Sequence, residues 1–205
     1  FVGFGSIGQG VLPLILRHVG IQPDQVTIVT ADEAGEKIAQ EFGVRFVKHA
    51  LTRQNFKNVL DPIVGRGDFL LNLSVDVSSL ALIKFCWEKG SLYLDTCIEP
   101  WPGGYTDPTV SPARRTNYAL REEALTLKDS KQRAPTAVLT HGANPGLVSH
   151  LVKQALLNIA SDTGVETAEP GTRADWAALA HKLGVKVIHI AERDTQVGER
   201  QKETN

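Results

Sequence analysis

The sequence predicts an α/β fold, with a doubly wound, mostly parallel sheet followed by the start of a second, α+β domain. Short apolar runs rich in β-branched residues recur at regular intervals, and helical patterns lie between them. A glycine-rich turn joins the first apolar run to the first helical pattern. We expect the sheet domain at residues 1–143, with its first strand truncated, and the beginning of the second domain at 144–205.

The predicted strands are short and mostly apolar. Phe1 and Val2 are the remnant of a first strand, because the sequence opens inside an apolar pattern. The β-branched run at 26–30 is typical of a strand buried on both faces. Further strands are predicted at 44–47, 68–73, 92–95, 136–140 and, in the second domain, 185–190.

Helical patterns fill the intervals between these strands. The first, at 7–19, carries apolar residues on one face and contains Pro13, which favours a kink. Others are predicted at 33–42, 55–64, 78–89, 114–129 and 176–183. Gly43, Gly90 and Gly184 follow three of them and are typical helix stops.

Composition narrows the possible partners. The 205 residues carry a net charge of −1, so nothing favours nucleic acid as a partner. No apolar run reaches the roughly 20 residues that a membrane-spanning helix needs. Two cysteines, Cys86 and Cys97, cannot build a disulfide framework, which favours the cytoplasm. The chain contains no Met and opens inside a strand, so we expect it to be a piece of a longer polypeptide.

The glycine-rich turn predicts a phosphate site. Its G-x-G-x-x-G pattern is formed by Gly3, Gly5 and Gly8, with Ser6 and Ile7 between the last two. The first glycine allows a tight turn, the second lets the backbone approach a pyrophosphate, and the third lets the helix pack closely. A plain strand-to-helix turn is the alternative. We expect these five residues to bind a dinucleotide.

An acidic residue follows the second strand, where such folds hold the adenine ribose. Asp32 lies about 20 residues beyond the glycines, and Thr30 closes the strand. No arginine adjoins them to accept a 2′-phosphate, which favours NAD over NADP. Asp32 could equally be the N-cap of the next helix.

Polar side chains follow three later strands, at the edge where such sheets bind ligands. We expect Asn72, Ser74, Asp95 and Thr96 to contribute to the cofactor site. Ser74 and Asp76 could instead cap the helix that begins near Ser78. Likewise, Asn144 before Pro145 fits an N-cap with proline at the first helical position. No metal is expected.

Four segments together resemble bacterial homospermidine synthases, whose architecture is shared with saccharopine dehydrogenase-like proteins. They are FVGFGSIGQG at 1–10, YLDTCIEPW at 93–101, HGANPGLVSH at 141–150 and IAERDTQ at 190–196. The resemblance implies a homodimer with tightly held NAD. It also implies an aminoalkyl transfer that condenses two putrescine molecules into homospermidine. The carbon beside one amine gives up a hydride, ammonia leaves the resulting imine, a second diamine joins as a Schiff base, and the same hydride returns.

The resemblance also implies roles for three residues. Glu99 and Glu192 match acidic positions of the family's substrate pocket, and Asn144 matches their polar partner. A diamine carries two positive charges, which carboxylates bind by charge-assisted hydrogen bonds. Two other functions remain open: a saccharopine dehydrogenase-like reductase that joins an amine to an aldehyde, and a non-catalytic dinucleotide sensor.

Overall fold

A computed structural model describes residues 1–128 and 133–192 of the chain. The chain divides into two compact units, Phe1–Ser149 and His150–Asn205. Among the described helices, none has the length and apolarity needed to cross a membrane.

The first unit alternates strands with helices. Its strands are β1 (Thr27–Thr30), β2 (Arg45–Lys48), β3 (Phe69–Asn72), β4 (Leu92–Asp95) and β5 (Ala137–Val138). Its helices are α1 (Ser6–His18), α2 (Glu36–Glu41), α3 (Phe56–Leu60), α4 (Ser79–Lys89) and α5 (Asn117–Leu125), with 3₁₀ turns at Pro23–Gln25 and Pro112–Arg114. The helix α6 (Leu147–Asp162) follows, and α7 (Arg173–Lys182) lies in the second unit.

Every strand pair in the described sheet is parallel, which confirms the predicted fold class. β1 pairs with β2, and β3, β4 and β5 pair in that order. Val2 joins the two groups, because it bridges to Val29 on one side and to Asn72 on the other. The segment at Phe1 and Val2 is therefore central in the sheet, and the carboxyl ends of its neighbours lie along one edge.

Two apolar clusters hold this unit together. Leu82, Phe85 and Tyr93 belong to the first, and Phe4 and Ile28 to the second. All five side chains are at most 2% exposed. Burying a side chain of this size contributes about 1.5–3 kcal/mol to the stability of the fold. These two clusters therefore hold the strands of the sheet in place.

Two predicted strands differ in the structure. The segment 185–190 is not a strand: Val187 is 64% exposed and Ile188 53%. A strand needs a neighbour to satisfy its backbone groups, and no strand is described in the second unit. The strand predicted at 136–140 is reduced to β5, because Thr140 adopts a positive φ of 59° that ends the extended backbone.

The helices differ mainly at their ends. α1 runs through Pro13 without interruption. The helix predicted at 114–129 separates into a 3₁₀ turn and α5, because Thr116 caps α5 through a hydrogen bond from the Ala119 amide. The last residue of that prediction, Asp129, lies outside the described residues.

The second unit is a small helical assembly. Leu156 and Ala160 of α6 pack against Leu179 of α7, and the Lys153 ammonium lies 5.3 Å from the centroid of the Trp176 ring. The described part of this unit is therefore helical, whereas an α+β domain was predicted.

Candidate functional site

The glycine-rich turn is built by close backbone packing. Gly3 has a φ of +84°, and a Cβ there would lie 2.7 Å from the Ser74 backbone. α1 begins at Ser6 with Gly5 as its N-cap, and Gly8 packs so closely that a Cβ would lie 2.9 Å from the Phe4 ring. Two of the three glycines are thus required by the fold itself.

Gly5 differs from the other two because the space beside it is empty. A Cβ at Gly5 would have no described atom within 4 Å, and Ser6 and Ile7 beside it are exposed. The first turn of α1 contains no acidic residue. An exposed helix N-terminus that presents its amide groups is suited to a phosphate. The five predicted residues therefore fit a dinucleotide pyrophosphate.

At the end of β1, Thr30 is buried and Asp32 is exposed. The Asp32 carboxylate accepts a hydrogen bond of 3.0 Å from the Ala34 amide. α2 begins only at Glu36, with Gly35 as its N-cap, so the alternative prediction that Asp32 caps this helix is wrong. Its carboxylate lies instead at an open turn beyond the strand.

A lysine at the end of the neighbouring strand was missed by the sequence analysis. Thr30 pairs with Lys48 in the parallel register, and the Lys48 ammonium lies 2.7 Å from the Glu33 carboxylate. The hydrogen bond between them raises the pKa of Lys48 and lowers that of Glu33. Only the β1–β2 register could have revealed this pair, because the two residues are 15 positions apart.

Asn72, Tyr93 and Asp95 form a buried chain of hydrogen bonds at the ends of β3 and β4. Asn72 donates to the Tyr93 hydroxyl at 3.2 Å, which donates to Asp95 at 2.9 Å. Ser74 donates its hydroxyl and amide to the Asn72 amide oxygen, at 2.6 and 3.2 Å. The chain therefore joins the turn beside Gly3 to the last residue of β4.

Asp95 extends this chain to the turn after β5. Its carboxylate accepts a hydrogen bond from the Thr140 amide, and its carbonyl accepts one of 2.9 Å from the His141 amide. Asp95 is wholly buried, and burial raises its pKa. Burial likewise raises the pKa of Tyr93 well above its ordinary value. We call Asn72, Ser74, Tyr93, Asp95 and Thr140 the buried network.

Two alternative capping predictions are wrong. The side chain that caps α4 is Ser78, which accepts a hydrogen bond of 3.3 Å from the Ala81 amide. Ser74 hydrogen-bonds Asn72 instead, and Asp76 is exposed with a positive φ of 62°. Neither caps α4, which leaves the edge after β3 open to a ligand.

Glu99 is a half-buried acid anchored through its backbone. Its amide donates to the Ser79 hydroxyl at 3.0 Å, and its carbonyl accepts from the Ser79 amide at 2.9 Å. The Oε2 atom is buried and has no hydrogen-bond partner among the described residues. Burial raises the pKa of Glu99, and burial with the nearby Glu99 charge raises the pKa of the Cys97 thiol to about 11.

Asn144 lies in a turn rather than at a helix N-cap. The turn is closed by a 3.0 Å hydrogen bond from the Gly142 amide to the Pro145 carbonyl, and α6 begins only at Leu147. The capping alternative for Asn144 is therefore wrong, and its side chain is exposed. Close packing holds the turn against β4, because a Cβ on Gly142 would lie 2.9 Å from the Thr96 carbonyl oxygen.

Glu192 belongs to the second unit and is exposed at the end of its described part. Arg193 and Asp194 of the fourth resemblance segment lie outside the described residues. In residues 1–128 and 133–192, no group of three His, Cys, Asp or Glu side chains could hold a metal ion.

A known protein family matches most of the first unit. The family described as "Saccharopine dehydrogenase NADP binding domain" matches residues 1–139. The chain belongs to this family. Its sheet domain is therefore a nucleotide-binding domain, which agrees with the glycine turn and the open edge beyond it.

Individual proteins of known name are also similar. The chain is 50% identical to a homospermidine synthase of Blastochloris viridis over 198 residues, and 48% identical to one of Mesorhizobium japonicum over 200 residues. Each alignment covers 95% of this chain, but only 42% and 41% of the two relatives.

A solved structure gives the same result. The crystal structure of the homospermidine synthase of Legionella pneumophila in complex with NAD superimposes with a TM-score of 0.82 at 48% identity. The match covers 98% of this chain and 41% of that protein. The resemblance to homospermidine synthases is thus confirmed, and the chain spans about two fifths of the length of these relatives.

Proposed function

We propose that the protein to which this chain belongs is a homospermidine synthase that binds NAD. Two putrescine molecules yield one homospermidine and one ammonia, with no net oxidation. The observation that carries the substrate assignment is the buried Oε2 of Glu99, which lacks a hydrogen-bond partner in the described part of the chain. A carboxylate in this state is suited to an ammonium group. The identity near 50% to two homospermidine synthases supports the same reaction.

We assign the cofactor to the carboxyl edge of the sheet. Gly3, Gly5, Ser6, Ile7 and Gly8 hold the pyrophosphate, because a Cβ at Gly5 would meet no described atom within 4 Å and Ser6 and Ile7 are exposed. When bound, NAD accepts the hydride from the carbon beside an amine and later returns it.

The other residues proposed for the cofactor site fall into two groups, one at least partly exposed and one buried. Asp32 binds the adenine ribose from its open turn, with Thr30 below it. Ser74 and Thr96 face the edge, where both are half-buried. Asn72 and Asp95 act differently, since both are buried and hydrogen-bonded to Tyr93. They position the residues around them, and direct contact with the cofactor is not required.

Three residues act on the substrate in this proposal. Glu99 and Glu192 bind and neutralise the ammonium groups of the diamine, and Asn144 hydrogen-bonds the reacting nitrogen. The raised pKa of Glu99 brings it closer to neutral pH, which suits a group that takes up a proton. One amine must lose a proton before its carbon can release a hydride.

A reductase is the second candidate, because the matched family is described by saccharopine dehydrogenase and NADP. The two functions differ in stoichiometry. A reductase consumes one reduced nicotinamide for each amine that it joins to an aldehyde, whereas a synthase needs only catalytic NAD⁺ and no carbonyl partner.

Incubation of the full-length protein with putrescine and substoichiometric NAD⁺ tests this difference. We expect homospermidine and ammonia in equal amounts, in excess of the NAD⁺ supplied. Product that forms only when an aldehyde and stoichiometric NADPH or NADH are added would support the reductase instead. Binding of NAD with no amine product under either condition would indicate a dinucleotide sensor.

The cofactor assignment is tested by Gly5→Ala. The added methyl group enters the space proposed for the pyrophosphate, so we expect NADH affinity to fall about tenfold or more, as measured by fluorescence titration. Because the space is otherwise empty, the urea midpoint should fall only slightly, by the cost of replacing the glycine N-cap of α1 with alanine. Gly10→Ala is the control: its Cβ also meets no described atom within 4 Å, so NADH affinity should not change, whereas the urea midpoint should rise slightly because alanine is favoured over glycine inside α1.

The homodimer and the cytoplasmic location complete the proposal. The homodimer follows from the resemblance, and the cytoplasmic location follows from the two free cysteines, which agree with a reducing compartment.

A further inference from the structure

The Glu33–Lys48 pair lies where NAD and NADP differ. The two cofactors differ only at the 2′ position of the adenine ribose, which the proposed function places beside Asp32. Lys48 ends the strand that neighbours β1, and its ammonium lies 2.7 Å from the Glu33 carboxylate. A cation thus stands at the edge where a 2′-phosphate would need one.

Lys48 is nevertheless surrounded by acidic groups. Glu33 contacts it directly, and the charges of Asp32 and Glu36 are close enough to raise its pKa further. The positive charge of Lys48 is therefore neutralised by acidic side chains of the protein itself. The family description names NADP, whereas the Legionella relative was crystallised with NAD.

We infer that Glu33 determines the cofactor specificity of this site by holding Lys48 in an ion pair and so withholding it from a 2′-phosphate. Asp32 repels the phosphate directly, and Glu33 removes the cation that the β1–β2 register places opposite Thr30. Glu33 is then a specificity residue that need not touch NAD. This inference rests on the proposed function, because it requires the adenine ribose to lie at the end of β1.

A substitution of Glu36 can distinguish the effect of net charge from the effect of the Glu33–Lys48 ion pair. It carries the same charge and lies three residues further on, at the start of α2, but its carboxylate accepts a hydrogen bond from the Gln40 side-chain amide and forms no ion pair with Lys48. Glu33→Gln and Glu36→Gln therefore change the net charge equally, and only Glu33→Gln releases the lysine.

The test measures dissociation constants for NADH and NADPH by fluorescence titration of the full-length protein. We expect Glu33→Gln to tighten NADPH binding about tenfold and to leave NADH binding unchanged. Glu36→Gln should alter the NADPH affinity less than about twofold. In the Glu33→Gln background, Lys48→Ala should remove the gain.

Three results would overturn the inference. Equal gains from Glu33→Gln and Glu36→Gln would mean that net charge alone matters. A gain that survives Lys48→Ala would mean that another cation is used, and an unchanged NADPH affinity in Glu33→Gln would mean that the pair plays no part. In each case NADH binding by the unaltered protein leaves the proposed function standing, whereas binding of neither dinucleotide would overturn both.

Discussion

The two halves of the carboxyl edge of the sheet are built in opposite ways. At the ends of β1 and β2, charged side chains stand in solvent: Lys48 and Glu33 have side chains 55% and 69% exposed. At the ends of β3, β4 and β5, Asn72, Tyr93 and Asp95 are at most 1% exposed and hydrogen-bond one another. One half presents charged groups to solvent, whereas the other links the ends of three strands by hydrogen bonds.

The difference follows from the cost of burying polar groups. An exposed ion pair contributes little to stability, because water already solvates both charges. A buried polar group that loses its partner costs much more, because nothing replaces the lost hydrogen bond. The exposed half can therefore change without harming the fold, and the buried half cannot.

The largest expected effect is that of Asp95→Ala. This change leaves the Tyr93 hydroxyl and the Thr140 amide without their acceptor. We expect the free energy of unfolding to fall by about 3 kcal/mol, since each unsatisfied buried group costs about 1–3 kcal/mol. Urea denaturation monitored by circular dichroism measures it.

Tyr93→Phe sharpens this prediction. It removes the hydroxyl from the middle of the network and keeps the apolar ring in the core, so its cost should be smaller, about 1–2 kcal/mol. If neither variant shifted the urea midpoint, the buried network would have no structural role. The two halves of the edge would then not differ in their contribution to stability.

Glu99→Gln should have an intermediate effect, and on function rather than on stability. We expect kcat/KM for putrescine to fall about a hundredfold, because a charge-assisted hydrogen bond to an ammonium contributes about 1.5–3 kcal/mol. Steady-state kinetics with amine chromatography measures the loss. Cys97→Ser, beside it, keeps the carboxylate and should retain most of the activity.

The difference in stability between the parent protein and Glu99→Gln depends on pH. Burial raises the pKa of Glu99 above its ordinary value of 4.5, so the folded protein binds this proton more tightly than the unfolded chain. The resulting stabilisation is complete below that value and is lost as pH rises through the folded-state pKa. Glu99→Gln should therefore gain stability relative to the parent across this window, and an opposite slope in urea denaturation would contradict the assigned burial.

The smallest expected effect is that of Lys48→Ala on stability. Its ion pair with Glu33 is exposed, so we expect no measurable shift of the urea midpoint. A loss comparable to that of Asp95→Ala would show that the exposed half is also structural.

Much of the fold was predictable because its signals are local. Apolar runs and glycine stops placed β1 to β4 and the helices between them, and the motif of Gly3, Gly5 and Gly8 predicted the turn correctly. The segment 185–190 misled the prediction, since its apolar composition is typical of a strand but pairing needs a neighbour that composition does not reveal.

The site was predictable only in part, because its contacts join residues far apart in the chain. The hydrogen bond between Asp95 and Thr140 joins residues 45 positions apart, and the part played by Tyr93 was not predicted. The cofactor role of Asp95 stays a prediction. The Glu33–Lys48 pair depends on strand register in the same way. The roles of Glu99, Asn144 and Glu192 stay predictions.

The central claim is that one hydride leaves and returns within a single reaction. Putrescine deuterated at both carbons that bear nitrogen tests it directly, with the full-length protein, NAD⁺ in trace amount and mass spectrometry of the product. Internal return predicts homospermidine that keeps every deuterium atom of both substrates. Homospermidine that has lost one deuterium atom per molecule would show that the returning hydride comes from elsewhere, and would contradict the account.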